Sequence, residues 1–465
     1  MTRRIFFVAL GIHILFPVLG QDFGFGEPEA GTNAFGVAIS GEMAAQLTAY
    51  LEDFTDFSTF KKTSLGDVFA GKLNIKASGF NAEGTLNLKV APVFDGSASP
   101  VELDEAYLRA YFGKLIVEGG LRKLTWGKAD SFGPLDVVNP RDYRDLTDIV
   151  NQLDRKISRP MIHGTYQFGS FSKLEAVFLP GFEGHRFAES GRWTPVQAKI
   201  ERIRTGVAEG LTMMPSLSSA EKKEILEYYA NMTISYPKTL GLEYAQMGLR
   251  FTTTIGSADI GAQYFWGNLF RPAITVSGSD PAEFLQNPRG ITPEIAYNRY
   301  HHAGLDYGQI VAGFNLRAEL GANITGDLAG DDGLVYNPQI LWSLGFDRDI
   351  FWGINLNVQA VEGIRLRWDK IADNPVTDTE AEAPATSTRI TGILSKKFLR
   401  DELEVKITGL WGLEDKDFFI LPAIIWTKDD IALEGSAGFL GGNSQGELGQ
   451  YRKNSFVKLK LSYRF

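Results

Sequence analysis

Val457-Lys458-Leu459-Lys460-Leu461-Ser462-Tyr463-Arg464-Phe465 alternates without a break. Successive side chains of an extended chain point to opposite sides, so Val457, Leu459, Leu461, Tyr463 and Phe465 share one face. Lys458, Lys460, Ser462 and Arg464 share the other. Gly313 to Leu320 repeats the pattern, with Asn315, Arg317 and Glu319 set against Phe314, Leu316, Ala318 and Leu320. Ile354 to Ala360 and Leu403 to Thr408 do the same. One such segment suits a water-soluble sandwich as well as a membrane barrel. From about Ala34 onward, however, segments of about ten residues keep recurring, as expected of strands with lipid on one side and water on the other.

The connections separate the two readings. Short turns fall at Ser78-Gly79-Phe80-Asn81, Phe112-Gly113-Lys114, Phe168-Gly169-Ser170, Ile255-Gly256-Ser257, Asp306-Tyr307-Gly308, Phe346-Asp347-Arg348-Asp349, Leu399-Arg400-Asp401 and Lys428-Asp429-Asp430. Between consecutive turns lie two strand-like segments, joined mostly by longer polar loops such as Trp126 to Arg155, Phe182 to Leu240, Leu269 to Pro293 and Glu362 to Thr386. Short turns at one end and long loops at the other predict an all-β transmembrane antiparallel barrel of about 18 strands, with 16 or 14 as alternatives. The turns are then periplasmic and the loops external. Glu414-Asp415-Lys416 is the weak point, being short where a long loop belongs. Trp266, Trp342, Trp352, Trp411 and Trp426 fall near strand ends, where interfacial girdles form.

Composition excludes other classes. Among 465 residues, no run of roughly 18 apolar positions follows the first twenty, which rules out a bundle of membrane helices. Lys+Arg 47 against Asp+Glu 56 gives −9 with no long basic run, so a nucleic-acid partner has no footprint. Cys 0 removes disulfides, thiolate metal sites and cysteine nucleophiles. At the N-terminus, Thr2-Arg3-Arg4 precedes the apolar stretch Ile5 to Leu19, which reads as a signal peptide over 1–20 cleaved after Gly20. A membrane anchor is the alternative, although His13 and Pro17 interrupt the stretch. Residues 21–33 read as a short periplasmic segment and 34–465 as a single barrel domain, which places the protein in a bacterial outer membrane.

A last strand ending in a C-terminal aromatic, here Leu459, Leu461, Tyr463 and Phe465, resembles the signal that delivers Gram-negative-type outer-membrane barrels to their insertion machinery. The resemblance implies an insertion role for Tyr463 and Phe465, with outer-membrane lipid and that machinery as partners. Leu121-Arg122-Lys123-Leu124-Thr125-Trp126-Gly127-Lys128-Ala129-Asp130, followed by Asn139-Pro140-Arg141-Asp142, resembles a stretch of poorly characterised porin-like outer-membrane families. It says little about substrate.

If the apolar parity faces lipid, Glu105, Arg109, Glu118, Arg122, Arg159, Arg250, Arg317, Glu319, Lys406, Lys458 and Lys460 face the lumen. Charge on the lipid face would cost a few kcal/mol, so this parity itself argues for a wet interior. The tally leans basic and modestly favours anions. The 126–155 loop is the candidate constriction, carrying Lys128, Asp130, Asp136, Arg141, Asp142, Arg144, Asp145 and Asp148. It resembles porin-like barrels whose third external loop folds inward and sets acids against basic wall residues, here Arg109, Arg122 and Arg159. An outward, solvated loop turning at Asn139-Pro140 is the other reading. Removing Asp136 to Asp148 should raise conductance if the loop folds inward. Within 182–240, Ser218-Ser219-Ala220-Glu221 has capping-box spacing and predicts a helix with an Ile225, Leu226 and Tyr229 face.

Enzyme readings find little support. His301 and His302 point to opposite faces of a strand and cannot share a metal, and no nucleophile-elbow pattern appears. No cofactor or metal is expected. The function that fits is passive or weakly selective diffusion of small hydrophilic solutes through a channel, in a chain free to form homo-oligomers. Two alternatives are a surface binding or adhesion protein using its long loops on a barrel scaffold, and a hydrophobic-substrate transporter.

Overall fold

The computed structural model describes residues 35–52, 68–90, 101–188, 191–195, 207–230, 237–277, 286–290, 292–373, 378–381 and 383–465. The expected signal peptide over 1–20, the 21–33 segment and parts of the 182–240 loop lie outside them. Eighteen strands form one antiparallel sheet. In chain order they are β1 Gly36–Tyr50, β2 Phe69–Ser78, β3 Ala82–Val90, β4 Val101–Phe112, β5 Leu115–Arg122, β6 Arg159–Phe168, β7 Ser172–Leu179, β8 Gln246–Ile255 and β9 Ala258–Asn268. The second half comprises β10 Arg299–Val311, β11 Phe314–Thr325, β12 Gln339–Asp349, β13 Ile354–Arg365, β14 Thr386–Phe398, β15 Leu403–Gly412, β16 Asp417–Lys428, β17 Ile431–Gly442 and β18 Phe456–Arg464. Each strand pairs with the next, and β1 pairs with β18 from Glu42↔Arg464 to Tyr50↔Phe456. That pairing closes the barrel and leaves no free edge.

Burial along the strands is inverted relative to a soluble protein. Met43, Leu47, Leu108, Ile162, Leu344, Ile424 and Leu459 are exposed, whereas Glu118, His163, Arg250, Asp306, Glu319 and Gln359 are buried. A sandwich would bury the first set against a second sheet; here the apolar face points outward and the polar face inward, as lipid requires. Trp352 and Trp426 lie at the turn end, and Trp266 and Trp411 at the loop end, on both borders of the apolar band.

Eight tight connections lie at one end together with the start of β1 and the end of β18. Two of them differ from expectation. Asp306-Tyr307-Gly308 lies inside β10, and the reversal comes at Ala312-Gly313, where φ is 51° and 79°. Two left-handed residues in succession make the two-residue hairpin turn that matches strand twist. Asp306 instead faces inward against Arg250 (2.6 Å), so a turn-like tripeptide is held extended by a buried ion pair. Likewise Phe346 to Asp349 belong to β12, and Ile350 to Gly353 make the turn. Leu413–Lys416 closes a tight hairpin at the loop end, and the count of eighteen stands.

Candidate functional site

The inner wall is built from side chains that register places opposite one another. Glu83, Arg109, Glu118 and His163 are cross-strand partners on β3 to β6. Lys76 reaches Glu83 (3.2 Å), Arg109 reaches Glu83 (3.4 Å) and Glu118 (2.6 Å), and Glu118 meets His163 (2.6 Å). Arg122 also pairs with Glu118. His163 lies 3.5 Å from Glu175, which Lys173 approaches at 3.1 Å. Basic and acidic side chains thus alternate around the β2 to β7 wall. Glu105 accepts from Asn87 (3.0 Å) and from the Lys123 N–H (2.9 Å), Arg159 pairs with Glu183, and Lys460 with Glu42 (2.7 Å). Lys406 and Lys458 sit half-buried on the same inner parity.

The segment between β5 and β6, residues 123–158, turns into the barrel. Gly127, at φ 91°, presents the Lys128 and Ala129 N–H groups to one carboxylate oxygen of Glu319 on β11, the second at 2.7 Å. The Leu135 N–H reaches the other oxygen at 3.3 Å. Successive N–H groups around an anion form a nest, and the carboxylate makes each bond charge-assisted. On β13, Gln359 accepts from the Asp130 and Ser131 N–H groups (2.8 and 3.2 Å) and donates to the Ser131 carbonyl. Ser131 Oγ lies 3.4 Å from Thr391 Oγ1 on β14, nine strands from β5 in a barrel of eighteen. Asp130 pairs with Arg317 and accepts from Asn357 (2.8 Å), and Arg317 also holds Asp347 (2.6 Å). Lys128 Nζ stands 3.8 Å from both Asp259 and Asp306.

Apolar contacts continue the attachment. Leu135 is fully buried, its carbonyl accepting from Gln263 (2.8 Å), and such burial contributes about 1.5–3 kcal/mol. Trp126, Val137 and Val138 pack on Met161, Val177, Phe265 and Tyr300. Nearer the loop end, Leu146 and Ile149 pack on Leu410, Phe419, Leu421, Leu440 and Phe456 of β15 to β18. Ser40, Asn74, Lys76, Thr85, Asn87, Tyr107 and Arg109 of β1 to β4 border a recess of about 330 Å³.

No protein-family model matches the chain, and no curated protein matches it. Among solved structures it is similar to OccAB4 of Acinetobacter baumannii, with a TM-score of 0.50, 10% identity, and 94% of this chain and 100% of that one covered. It is also similar to OccK9 (OpdG) of Pseudomonas aeruginosa, with a TM-score of 0.47 and 8% identity over 93% and 97% of the two chains. OccD3 (OpdP) of the same organism gives 0.47 and 10% over 92% and 91%. The fold is that of a porin-like barrel.

Within this porin-like barrel, the loop charges have partners that sequence reasoning did not assign. Arg109, Arg122 and Arg159 are engaged by Glu118 and Glu183, not by the loop. The loop's ion pairs with the wall include Asp130 with Arg317, Lys128 near Asp259 and Asp306, Asp154 with Lys72 on β2 (2.6 Å) and Lys123 with Asp104 on β4 (2.6 Å). Asp136 stays within the loop, bound by Arg141 (2.8 Å) and Lys156 (2.7 Å). Asp142 pairs with Arg144 (2.5 Å), Asp145 accepts from the Thr147 N–H (2.8 Å), and Asp148 is exposed. Of the residues that fix the loop, Glu319, Arg317, Lys128 and Asp130 are among the sequence candidates, whereas Gln359, Gln263, Leu135, Lys156 and Asn139 are not among them. Asn139 is fully buried, accepting from the Leu124 N–H (2.8 Å) and donating to the Arg122 and Ile157 carbonyls (3.1 and 2.9 Å). Its place in the Asn139-Pro140-Arg141-Asp142 motif was the available signal.

Toward the loop end, His185 accepts the Arg141 N–H at Nδ1 (2.9 Å). Burial, with Arg271 and Arg141 nearby, holds its pKa well below the ordinary 6.5. Glu447 pairs with Arg389 (2.7 Å) and Arg271 (3.3 Å), and Arg389 above all pulls it down to about 2. Helix Ser219–Ala230 forms with the expected cap, Glu221 accepting from the Ser218 N–H (2.8 Å). Ile225 and Tyr229 are buried with Val207, Leu211 and Met214, but Leu226 is exposed. Its position one residue past Ile225 turns it off the covered face. Among the described residues no His, Asp and Glu group is arranged to hold a metal. His302 is buried against Gln263 and Asn323, while His301 meets Tyr264 outside.

Proposed function

We propose that the protein is an outer-membrane channel for passive or weakly selective diffusion of small hydrophilic solutes, narrowed by the 123–158 loop. A closed barrel with a polar inner wall, into which a loop is bound by its own main chain to strands half-way round, carries this reading. Barrels of this strand number have room for an aqueous passage. Lys128, Asp130 and Arg317 then act at the neck, where opposed charges orient dipoles and select ions. Lys72, Lys76, Lys406, Lys458 and Lys460 add a modest preference for anions. The signal peptide, outer-membrane insertion through the terminal aromatic strand, and external placement of the long loops belong to the same proposal.

Planar-bilayer recording on refolded protein tests it. Discrete conductance steps are expected, with a selectivity that shifts toward cations when Lys72 and Lys76 are replaced by Glu. A correctly closed barrel that gives no steps overturns the proposal.

A further inference from the structure

Charge on the outward face stands at a few strand ends. By parity the basic and acidic side chains there are Arg299, His301 and Glu362 toward the loops, and Arg348, Lys396 and Lys428 toward the turns. Those at the turn end are all basic and sit on β12, β14 and β16, and the other described strands present no outward charge at that end. An interfacial girdle runs round a whole barrel, whereas this charge occupies one sector. Lys428 adjoins Asp429 and Asp430 at its turn. Arg348 lies over the Phe314 ring at 4.3 Å and Lys396 over the Phe398 ring at 5.0 Å. Among the described residues neither head group meets a carboxylate or carbonyl: Asp347 and Asp349 face inward on Arg317, Asn315 and Asn355, and Asp401 stands at a turn tip. The inward cations Arg250, Arg317 and Lys460, in contrast, are all paired.

Between the two outward cations, β13 presents Ile354 and Leu356, cross-strand to Lys396 and Arg348, so nothing polar fills the space. Two strand spacings and a two-residue stagger put the Cα atoms of Arg348 and Lys396 about 12 Å apart, within reach of one headgroup for two long side chains. The β12 to β13 turn beside them holds out Phe351 and Trp352, 64% and 79% exposed and packed edge to face at 4.8 Å. Aromatic rings so placed suit the border between hydrocarbon and headgroups. We propose that Arg348 and Lys396, flanked by Phe351 and Trp352, bind the headgroup of an anionic phospholipid in the leaflet on the turn side, its acyl chains lying on Leu344 and Leu394. The site rests on the reading of the apolar face as lipid-facing, though not on conduction. Two cations without counter-charge favour a headgroup of net negative charge over a zwitterionic one.

Spin-labelled phosphatidylglycerol and phosphatidylcholine, each at trace level in phosphatidylcholine vesicles holding the refolded barrel, test this. The motionally restricted signal should show one or two positions per barrel that take phosphatidylglycerol about fivefold more tightly. Arg348→Gln/Lys396→Gln should bring the two lipids to parity in a barrel whose heat-modifiable band shows it closed. Arg299→Gln, at the loop end, should leave the preference intact, because that guanidinium already donates to the Ala245 (2.7 Å) and Glu243 carbonyls. In the parent, salt at about 1 M, where charges are screened within about 3 Å, should remove most of the preference, a result that needs no variant to assemble. Equal association of the two lipids with the parent overturns the proposal, as does a preference that survives the double substitution or the salt. A barrel that shows the preference but never conducts supports the site and removes the channel reading; one that conducts without the preference removes the site alone.

Discussion

Lys156 carries its ammonium into a space closed to solvent, where it donates to the Leu124 carbonyl (2.8 Å), Thr125 Oγ1 (2.6 Å) and Asp136 (2.7 Å). Breaking a buried pair on one side leaves the other charge uncompensated, at a cost of about 3–5 kcal/mol. Lys156→Ala should therefore leave the barrel closed but open segment 123–158 to protease, measured as nicking within it in folded protein. In sequence Lys156 belongs to Asp154-Arg155-Lys156-Ile157-Ser158-Arg159, which reads as an ordinary solvated run. Nothing local marks it, because the groups it satisfies lie 20 to 32 residues earlier. Phe465 was more legible. It exchanges main-chain bonds with Gly41 (2.9 and 3.1 Å), and its ring lies where a side chain at Gly41 would stand. Phe465→Asp should impair closure of β1 on β18, seen as loss of the heat-modifiable band; normal assembly would contradict this.

Strands are the elements whose alternation survives translation into structure, since a one-residue slip would turn every lipid-facing side chain inward. Leu344, exposed in the middle of β12, should tolerate Met but lose about 2–4 kcal/mol as Leu344→Arg, measured by denaturant unfolding in lipid vesicles. A loss near zero would mean that this face does not meet lipid. Turns were legible less evenly. Gly113, Gly169 and Gly256 mark reversals by their left-handed conformation, whereas Asp306-Tyr307-Gly308 has turn composition but is kept extended by its partner Arg250. The inward course of the loop could be suspected from its charges, but its attachment could not be read from them. Beside its ion pairs, main-chain groups, glycines and Leu135 hold it, and none of these has a sequence period. Ser218→Ala, which removes the Oγ that accepts from the Glu221 N–H, should cost helix Ser219–Ala230 about 1 kcal/mol and leave the barrel untouched, as hydrogen exchange over that helix would report.

For the whole molecule, acid should loosen the loop end before the barrel. His185 titrates below its unfolded value of 6.5, so its contribution is complete above that pH and fades as pH falls through the folded value. Glu447 follows the same sign from 4.5 down to about 2. Proteolysis of the loop end across this range should rise in two stages, and His185→Gln should remove the first. A single sharp transition coinciding with barrel unfolding would disprove the ordering. The barrel's all-β spectrum should persist throughout, since its ladder of main-chain bonds carries no titrating group. The main-chain attachment of the loop to β11 and β13 bears on the proposed traffic. The recess of about 330 Å³ lies beside β1 to β4, which the loop also reaches through Asp154 on Lys72 and Lys123 on Asp104. Under the proposed channel reading, a passenger at that recess would meet the inward side chains of these four strands. A scan of inward-facing positions should then be lopsided, and any solute preference acquired by mutation would be written on those four strands.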